Sequence, residues 1–482
     1  MMPDINIAAL LPEILLAIAA MTVLLVGAFW SRGGQTAAYL LSQAAIVAAA
    51  VITILAGGGV VTAFGDMVLV DRFSLILRLI LLLAAFLACQ VARGYLRREE
   101  VSADYYVLLL LATVGMMLMV TANNLLVLFL GIEVLSFSFY ILNGFLRREL
   151  AAGEAALKYF ILGAFATAFL VFGLTFTFGG VGSLSFRDIA LAMGRGAGGS
   201  APLILVGLGF LIIGLGFKVA AVPFHMWAPD VYQGAPTSVT AFLSTGSKAA
   251  GLAALFRMLM FAYDWMADDW RVVIAVLSIL SMVWGNFAAV AQTNLKRMLA
   301  YSSIAHSAYV LLALVSFNDT GLSALFFYLT AYTVMTLGAF AILALTGIGG
   351  TTGPNLEDVS GLAWRHPWIA LSFSVFLFSL AGVPPTAGFM GKYLIFSSII
   401  RAGYPGLAVV AILTAVVSVY YYLRVTVQMY MREAPESGGV ELDRLNIYSS
   451  TAIILAALAV IYLGVFPGRL LNFLMEAAGA LL

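Results

Sequence analysis

Charge is what this sequence has least of. Of its 482 residues 10% are Asp, Glu, Lys or Arg and 63% are hydrophobic, whereas a soluble domain carries about 25% charged and about 45–50% apolar residues. The mean hydropathy is +1.06, so the chain is an integral membrane protein. Cysteine is nearly absent. The single Cys89 lies in an apolar run, which excludes disulfides and cysteine-ligated iron–sulfur clusters. Three histidines, His225, His306 and His366, are too few and too scattered for the paired ligands of several haems. There is no GxGxxG, no P-loop and no polar insert long enough for a nucleotide domain. A net charge of +1 offers nothing to a nucleic-acid partner. No cofactor or metal is expected on this chain, and any redox or ATP chemistry it serves belongs to another.

What the sequence has instead is apolar runs of about 20 residues, the length that spans a bilayer as helix. A β-barrel would show short alternating segments. The N-terminal run lacks a basic leader and a small-residue cleavage site, so it reads as a first span rather than a signal peptide. Fourteen spans are predicted, at about 7–30, 37–56, 73–92, 105–120, 125–143, 156–179, 201–235, 237–261, 271–290, 299–316, 321–346, 367–403, 405–430 and 449–466. Loops between odd and even spans then hold Arg32, Arg93, Arg97, Arg98, Arg147, Arg148, Lys296, Arg297, Arg365, Arg432 and Arg444. The opposite loops and the tail hold Arg72, Arg187, Arg195, Arg271, Arg401 and Arg469. The positive-inside rule therefore puts both termini outside.

Seven basic residues remain inside or at the ends of spans: Arg78, Lys158, Lys218, Lys248, Arg257, Lys392 and Arg424. Four of the chain's five lysines are among them, while the loops use arginine almost exclusively. Arginine stays protonated in a protein, but a desolvated lysine can exchange its proton near neutral pH. Arg78, Arg257 and Arg424 lie close enough to span ends to snorkel. Lys158, near the start of its span, fits either snorkelling or function. Lys218, Lys248 and Lys392 lie deeper, where a charge costs at least ~2.5 kcal/mol. Glu133 is the one acid centrally placed in a span, and a direct pair with Lys218 is predicted, with Lys158 nearby. Glu13 reads as an interface residue.

Two spans are too long and are interrupted. Between Arg195 and Asp230, and again between His366 and Arg401, 34 residues carry a single formal charge, Lys218 or Lys392. As unbroken helix each would run to about 51 Å, against roughly 30 Å of hydrocarbon. Pro223 in the first, and Pro384 and Pro385 in the second, are the expected breaks, placed beside protein or water. Spacing suggests a duplication: 174 residues separate Lys218 from Lys392 and 173 separate Glu133 from His306. An odd number of spans per repeat inverts its orientation. The expected organisation is helices one to three over 1–104, a first repeat over 105–261, a second over 271–430, and a last helix and tail over 449–482. On spacing alone His306 and His225 are weaker candidates, a satisfied core histidine being an equal reading.

Three segments carry a resemblance: FKVAAVPFHMWAPDVYQGAPTSVTAFLSTGSKAAG, NLKRMLAYSSIAHSAYVLL and LAGVPPTAGFMGKYLIF. They resemble signature segments of the antiporter-like subunits of respiratory complex I, related to Mrp-type sodium/proton antiporters, and the likeness covers nearly the whole chain. It implies that Glu133, Lys158, Lys218, Lys248 and Lys392 lie along a buried axis that moves protons. It also implies that FMN, iron–sulfur clusters and quinone sit on partner subunits, that the partners are other complex I membrane subunits and lipids, and that the setting is a bacterial inner membrane. The alternative is an autonomous Mrp-type sodium/proton antiporter subunit. A sodium site wants several oxygen ligands, and one central carboxylate is poor provision.

Overall fold

The computed structural model describes residues 6–30, 34–96, 102–192, 200–316, 318–346, 352–433 and 447–480. The predicted loop residues Arg32, Arg97, Arg98, Arg195 and Arg444 lie outside them. In chain order the helices are α1 (Leu11–Phe29), α2 (Gly34–Ala56), α3 (Arg72–Leu96), α4 (Asp104–Thr121), α5 (Leu125–Asn143), α6 (Leu150–Val181) and α7 (Phe186–Ala190). There follow α8 (Ala201–Val219), α9 (Trp227–Gly234), α10 (Thr237–Phe242), α11 (Lys248–Phe261), α12 (Ala267–Val290), α13 (Leu295–Ser316) and α14 (Asp319–Thr346). The last are α15 (Leu362–Arg365), α16 (Pro367–Ala381), α17 (Ala387–Arg401), α18 (Pro405–Met431), α19 (Ile447–Val465) and α20 (Gly468–Gly479). Among the described residues 13 helices are long and apolar enough to span a membrane, and α16 is a shorter apolar one. With α16 and α17 as one broken span, the fourteen predicted spans are recovered.

Local chemistry sets several boundaries. Pro12, Pro202, Pro367 and Pro405 stand in first turns, where a missing N–H costs nothing. Asn124 caps α5, its side chain accepting from Leu126 N at 2.8 Å. Between α2 and α3, strands β1 (Val61–Ala63) and β2 (Val68–Val70) form an antiparallel hairpin with Thr62 opposite Leu69. Burial then sorts the helices. The most apolar windows of α13 and α14 are 94% buried and that of the α10–α11 span is 100% buried, whereas those of α6 and α19 are 28% and 33% buried. The α10–α11 span, α13 and α14 thus form a hub wrapped by less buried helices.

The halves repeat in their hydrogen bonds. Leu125 N donates to Leu184 O at 2.9 Å and Phe186 N to Asn123 O at 3.1 Å; Leu295 N donates to Pro354 O at 3.0 Å and Leu356 N to Thr293 O at 2.8 Å. Each residue of the second set is 170 positions after its counterpart. The two breaks match likewise. Ala220, with φ +56°, and Gly382, with φ +86°, end α8 and α16 in the left-handed conformation. The next N–H donates back five residues in each case, from Ala221 to Gly216 O and from Val383 to Phe378 O, both at 2.9 Å. Here the offset is 162, which pairs Pro223 with Pro385. The spacing argument is corrected by these offsets. The counterpart of Glu133 is Ser303 rather than His306, and that of Lys218 is Leu380 rather than Lys392.

Three arginine expectations are corrected too. Arg78 is buried and donates from Nε to Glu13 Oε1 at 2.8 Å, so Glu13 is a core partner rather than an interface residue. Arg257 is buried against Asp71, its Nη1 and Nη2 reaching the two carboxylate oxygens at 3.2 and 3.1 Å. Arg424 donates to Val290 O at 3.1 Å and to Gln292 O. A protein carboxylate or carbonyl within reach satisfies a guanidinium better than a stretch to the headgroups.

Candidate functional site

Each deep lysine sits at a helix irregularity. Lys218 is two residues before the left-handed Ala220. Lys248 follows directly on a turn of π-helix, Leu243–Ser247, that joins α10 to α11; such turns gather at functional sites. Lys392 lies in α17, just past the second break. Their exposures are 4%, 1% and 5%, so none reaches headgroups or bulk water from this chain.

Around Lys218 the expected direct pair with Glu133 is not formed, and a serine and a tyrosine take its place. Lys218 Nζ donates to Ser136 Oγ at 2.6 Å and to Tyr159 OH at 3.3 Å. Ser136, one turn along α5 from Glu133, donates onward to Ile132 O. Glu133 is only half-buried and accepts from Thr167 Oγ1 at 2.8 Å, one turn of α5 from the Ser136 that bonds Lys218. Proximity without contact lets the carboxylate bias the lysine while either group remains able to repartner.

At the second break the lysine itself satisfies the freed carbonyls. Lys392 Nζ donates to Leu380 O and Ala381 O, both at 2.9 Å, and lies 5.3 Å from the ring centre of Tyr309. These are two of the α16 carbonyls that the break leaves without a helical donor. A cavity of about 600 Å³ opens beside Lys392, lined by Phe389, Tyr393, Phe396 and Val416 with Arg401. The first break is closed differently, by Trp227 Nε1 donating to Phe217 O at 2.9 Å and Ser281 Oγ accepting from Val222 N at 2.8 Å. Pro223, Pro384 and Pro385 themselves face outward.

Lys248 makes no hydrogen bond among the described residues, its Nζ facing the Tyr232 ring 5.8 Å away. Against the Tyr309 ring that Lys392 faces packs His306, fully enclosed, its ring centre 5.9 Å from that of Tyr309. Its Nδ1 lies 2.6 Å from Tyr328 OH and its Nε2 3.2 Å from Tyr422 OH, which also bonds Ser302. Tyr332 OH donates to Ser303 Oγ at 2.7 Å nearby. Thus His306, weak on spacing, occupies the centre of a polar network within the apolar hub.

Lys158 and His225 are less buried. Lys158 has 41% of its side chain exposed and bonds Glu154 and Asp230, each at 2.7 Å; Asp230 also accepts from Arg297 at 2.6 Å. His225 is half-buried against Trp284, its ring centre 5.9 Å away. Sequence reasoning missed Ser136, Tyr159, Asp230 and Lys296. Ser136 had a legible signal, three residues from Glu133 on one helix face. Lys296 had one also, as the fifth lysine of a chain whose loops use arginine. Assigned to a loop, it is fully buried, its Nζ donating to Ala235 O at 2.6 Å.

This combination, a multi-helix membrane bundle with broken helices around buried lysines, defines an ion-translocating class. Residues 122–418 match the family model "NADH:quinone oxidoreductase/Mrp antiporter, TM". An NADH-quinone oxidoreductase subunit N from Trichlorobacter lovleyi is 42% identical over 98% of this chain and 97% of that relative. A chain of respiratory complex I from Thermus thermophilus superposes with a TM-score of 0.81 at 36% identity, covering 96% of this chain and 99% of that one. A chain of an Mrp complex from Dietzia sp. reaches a TM-score of 0.85 at 20% identity over 98% and 97%, a likeness of fold alone. The chain belongs to the subunit N family of NADH-quinone oxidoreductases.

Proposed function

We propose that the chain is a proton-translocating membrane-arm subunit of a bacterial NADH:quinone oxidoreductase. It lies in the inner membrane with both termini on the periplasmic side, and the redox groups, FMN, iron–sulfur clusters and quinone, sit on partner subunits. Protons pass along Lys218, Lys248, His306 and Lys392, with the charge of Glu133, three residues from the Ser136 that bonds Lys218, acting on that lysine. The observation that carries the reading is three lysines, each at most 5% exposed, each at a helix break or π-turn within the apolar bundle. An ammonium there costs at least ~2.5 kcal/mol, which structure alone does not require.

At an effective dielectric of about 20, unit charges 4 Å apart interact by about 4 kcal/mol. Movement of Glu133 towards or away from Lys218 therefore changes the lysine's hold on its proton enough to pass it on. The energy arrives from the partner subunits. The test is Lys218→Ala in the assembled complex, reconstituted into vesicles: NADH oxidation should yield fewer pumped protons, and wild-type pumping would refute the scheme. Purification distinguishes the antiporter alternative, since a free antiporter would not bring flavin and iron–sulfur proteins with it.

A further inference from the structure

On the arginine-rich side, segments from four parts of the chain converge on a cavity of about 260 Å³: Glu154 and Lys158 at the start of α6, Asp230 and Gln233 on α9, Arg297 at the start of α13, and Thr352 beyond α14. Asp230 holds the mouth together by accepting from Lys158 and from Arg297. Lys296, fully buried, does not itself line the cavity but adjoins residues that do. The wall is built from Lys296's own neighbours: Arg297 adjoins it in the chain, Gly234 precedes its acceptor Ala235, and Thr352 precedes Gly353. Gly353 lies over the lysine stem with φ +72°, and a Cβ there would come within 2.5 Å of Lys296 Cδ. Asn294 Nδ2 donates to Thr352 O at 3.0 Å and Leu295 N to Pro354 O at 3.0 Å, closing the segment down.

Lys296 also begins a polar line inward. On α13, Ser303 lies two turns along and His306 about one more, so the line descends about 15 Å from the inner end to the central network. Ser303 takes the Tyr332 hydrogen bond, and His306 packs against Tyr332 and against Tyr309, whose ring Lys392 faces. The 162-residue offset of the breaks makes Asp230, at the mouth, the counterpart of Lys392.

We propose that Lys296 carries protons, as the first buried amine on the route from the arginine-rich side to Lys248 and His306. The inference rests on the proton-moving reading above. As a neutral amine, Nζ takes a proton from water at the mouth: an O–H bond breaks, an N–H bond forms, and the hydroxide is neutralised by a proton drawn from bulk water through the Asp230 cavity. The ammonium then gives a proton to the next water inward and returns to the amine. An amine keeps two N–H donors, so the bond to Ala235 O survives the cycle.

The test uses Lys296→Arg and Lys296→Gln in the complete, reconstituted complex, with pumped protons per NADH as the readout. Both substitutes can still donate to Ala235 O, but arginine does not release its proton and glutamine has none to exchange. Loss of pumped protons per NADH in both is expected; wild-type pumping in either overturns the assignment and leaves Lys296 a helix-end donor. If neither variant assembles, Asp230→Asn, at the open mouth, carries the test: undiminished pumping overturns the route. Lys248→Ala measured alongside separates the two readings. Impaired pumping there with normal Lys296 variants sinks only this proposal, whereas normal pumping in Lys248→Ala sinks proton movement through the hub.

Discussion

Lys392 offers the most demanding test because its ammonium has two roles that can be weighed. Replacing it with methionine strands the carbonyls of Leu380 and Ala381, each now 2.9 Å from Nζ. A hydrogen bond involving a charged group contributes about 1.5–3 kcal/mol, so the two together amount to about 3–6 kcal/mol. Against this, removing a buried charge returns at least ~2.5 kcal/mol. The difference, at most about 0.5–3.5 kcal/mol, is small for a chain held by so many packed helices. Lys392→Met should therefore assemble, with NADH oxidation measurable in the purified complex, and yet lose proton pumping in vesicles followed by a pH-sensitive dye. Lys392→Gln keeps an amide donor for one carbonyl and should be better tolerated structurally but equally deficient in pumping. Wild-type pumping by either variant would refute the placement of Lys392 on the proton path. Failure of Lys392→Met to assemble beside an intact, fully pumping Lys392→Gln would make the lysine purely a helix-end donor.

Other outcomes follow from the same geometry. Asp71→Asn should destabilise the chain by about 3–5 kcal/mol by leaving Arg257 buried and unpaired, and the double variant Asp71→Leu with Arg257→Met should recover part of that loss in detergent unfolding; a double variant worse than both singles combined would contradict the pairing. Gly382→Ala forces a Cβ to within 2.9 Å of Lys392 Cδ at φ +86°, a backbone cost of about 1–2 kcal/mol, and should impair pumping more than it impairs assembly, as read from complex yield against pumped protons. Ser136→Ala removes the 2.6 Å acceptor of Lys218 and should slow pumping without changing assembly; an unchanged rate would leave Ser136 without a part in pumping.

The membrane class, the helix count, the two broken spans and the deep lysines were all legible in the sequence, because each follows from local quantities: the length of an apolar run, the position of a proline, the cost of a charge within it. The duplication was legible only roughly. Spacing between lysines suggested equivalences that the hydrogen bonds at offsets of 170 and 162 replace, since charges need not occupy matching positions in two copies of a fold. What tertiary structure alone decided is who answers each charge. Glu13, Asp71 and Asp230 meet Arg78, Arg257 and Arg297 across 65, 186 and 67 residues of chain. Lys218 takes a serine and a tyrosine, Lys392 takes the carbonyls of its own broken helix, and Lys296 is folded beneath the Gly353 segment. A sequence fixes the cost of placing a charge in an apolar hub, whereas the partner that offsets it comes from whichever distant helix packs within about 3 Å, and only the assembled bundle determines that.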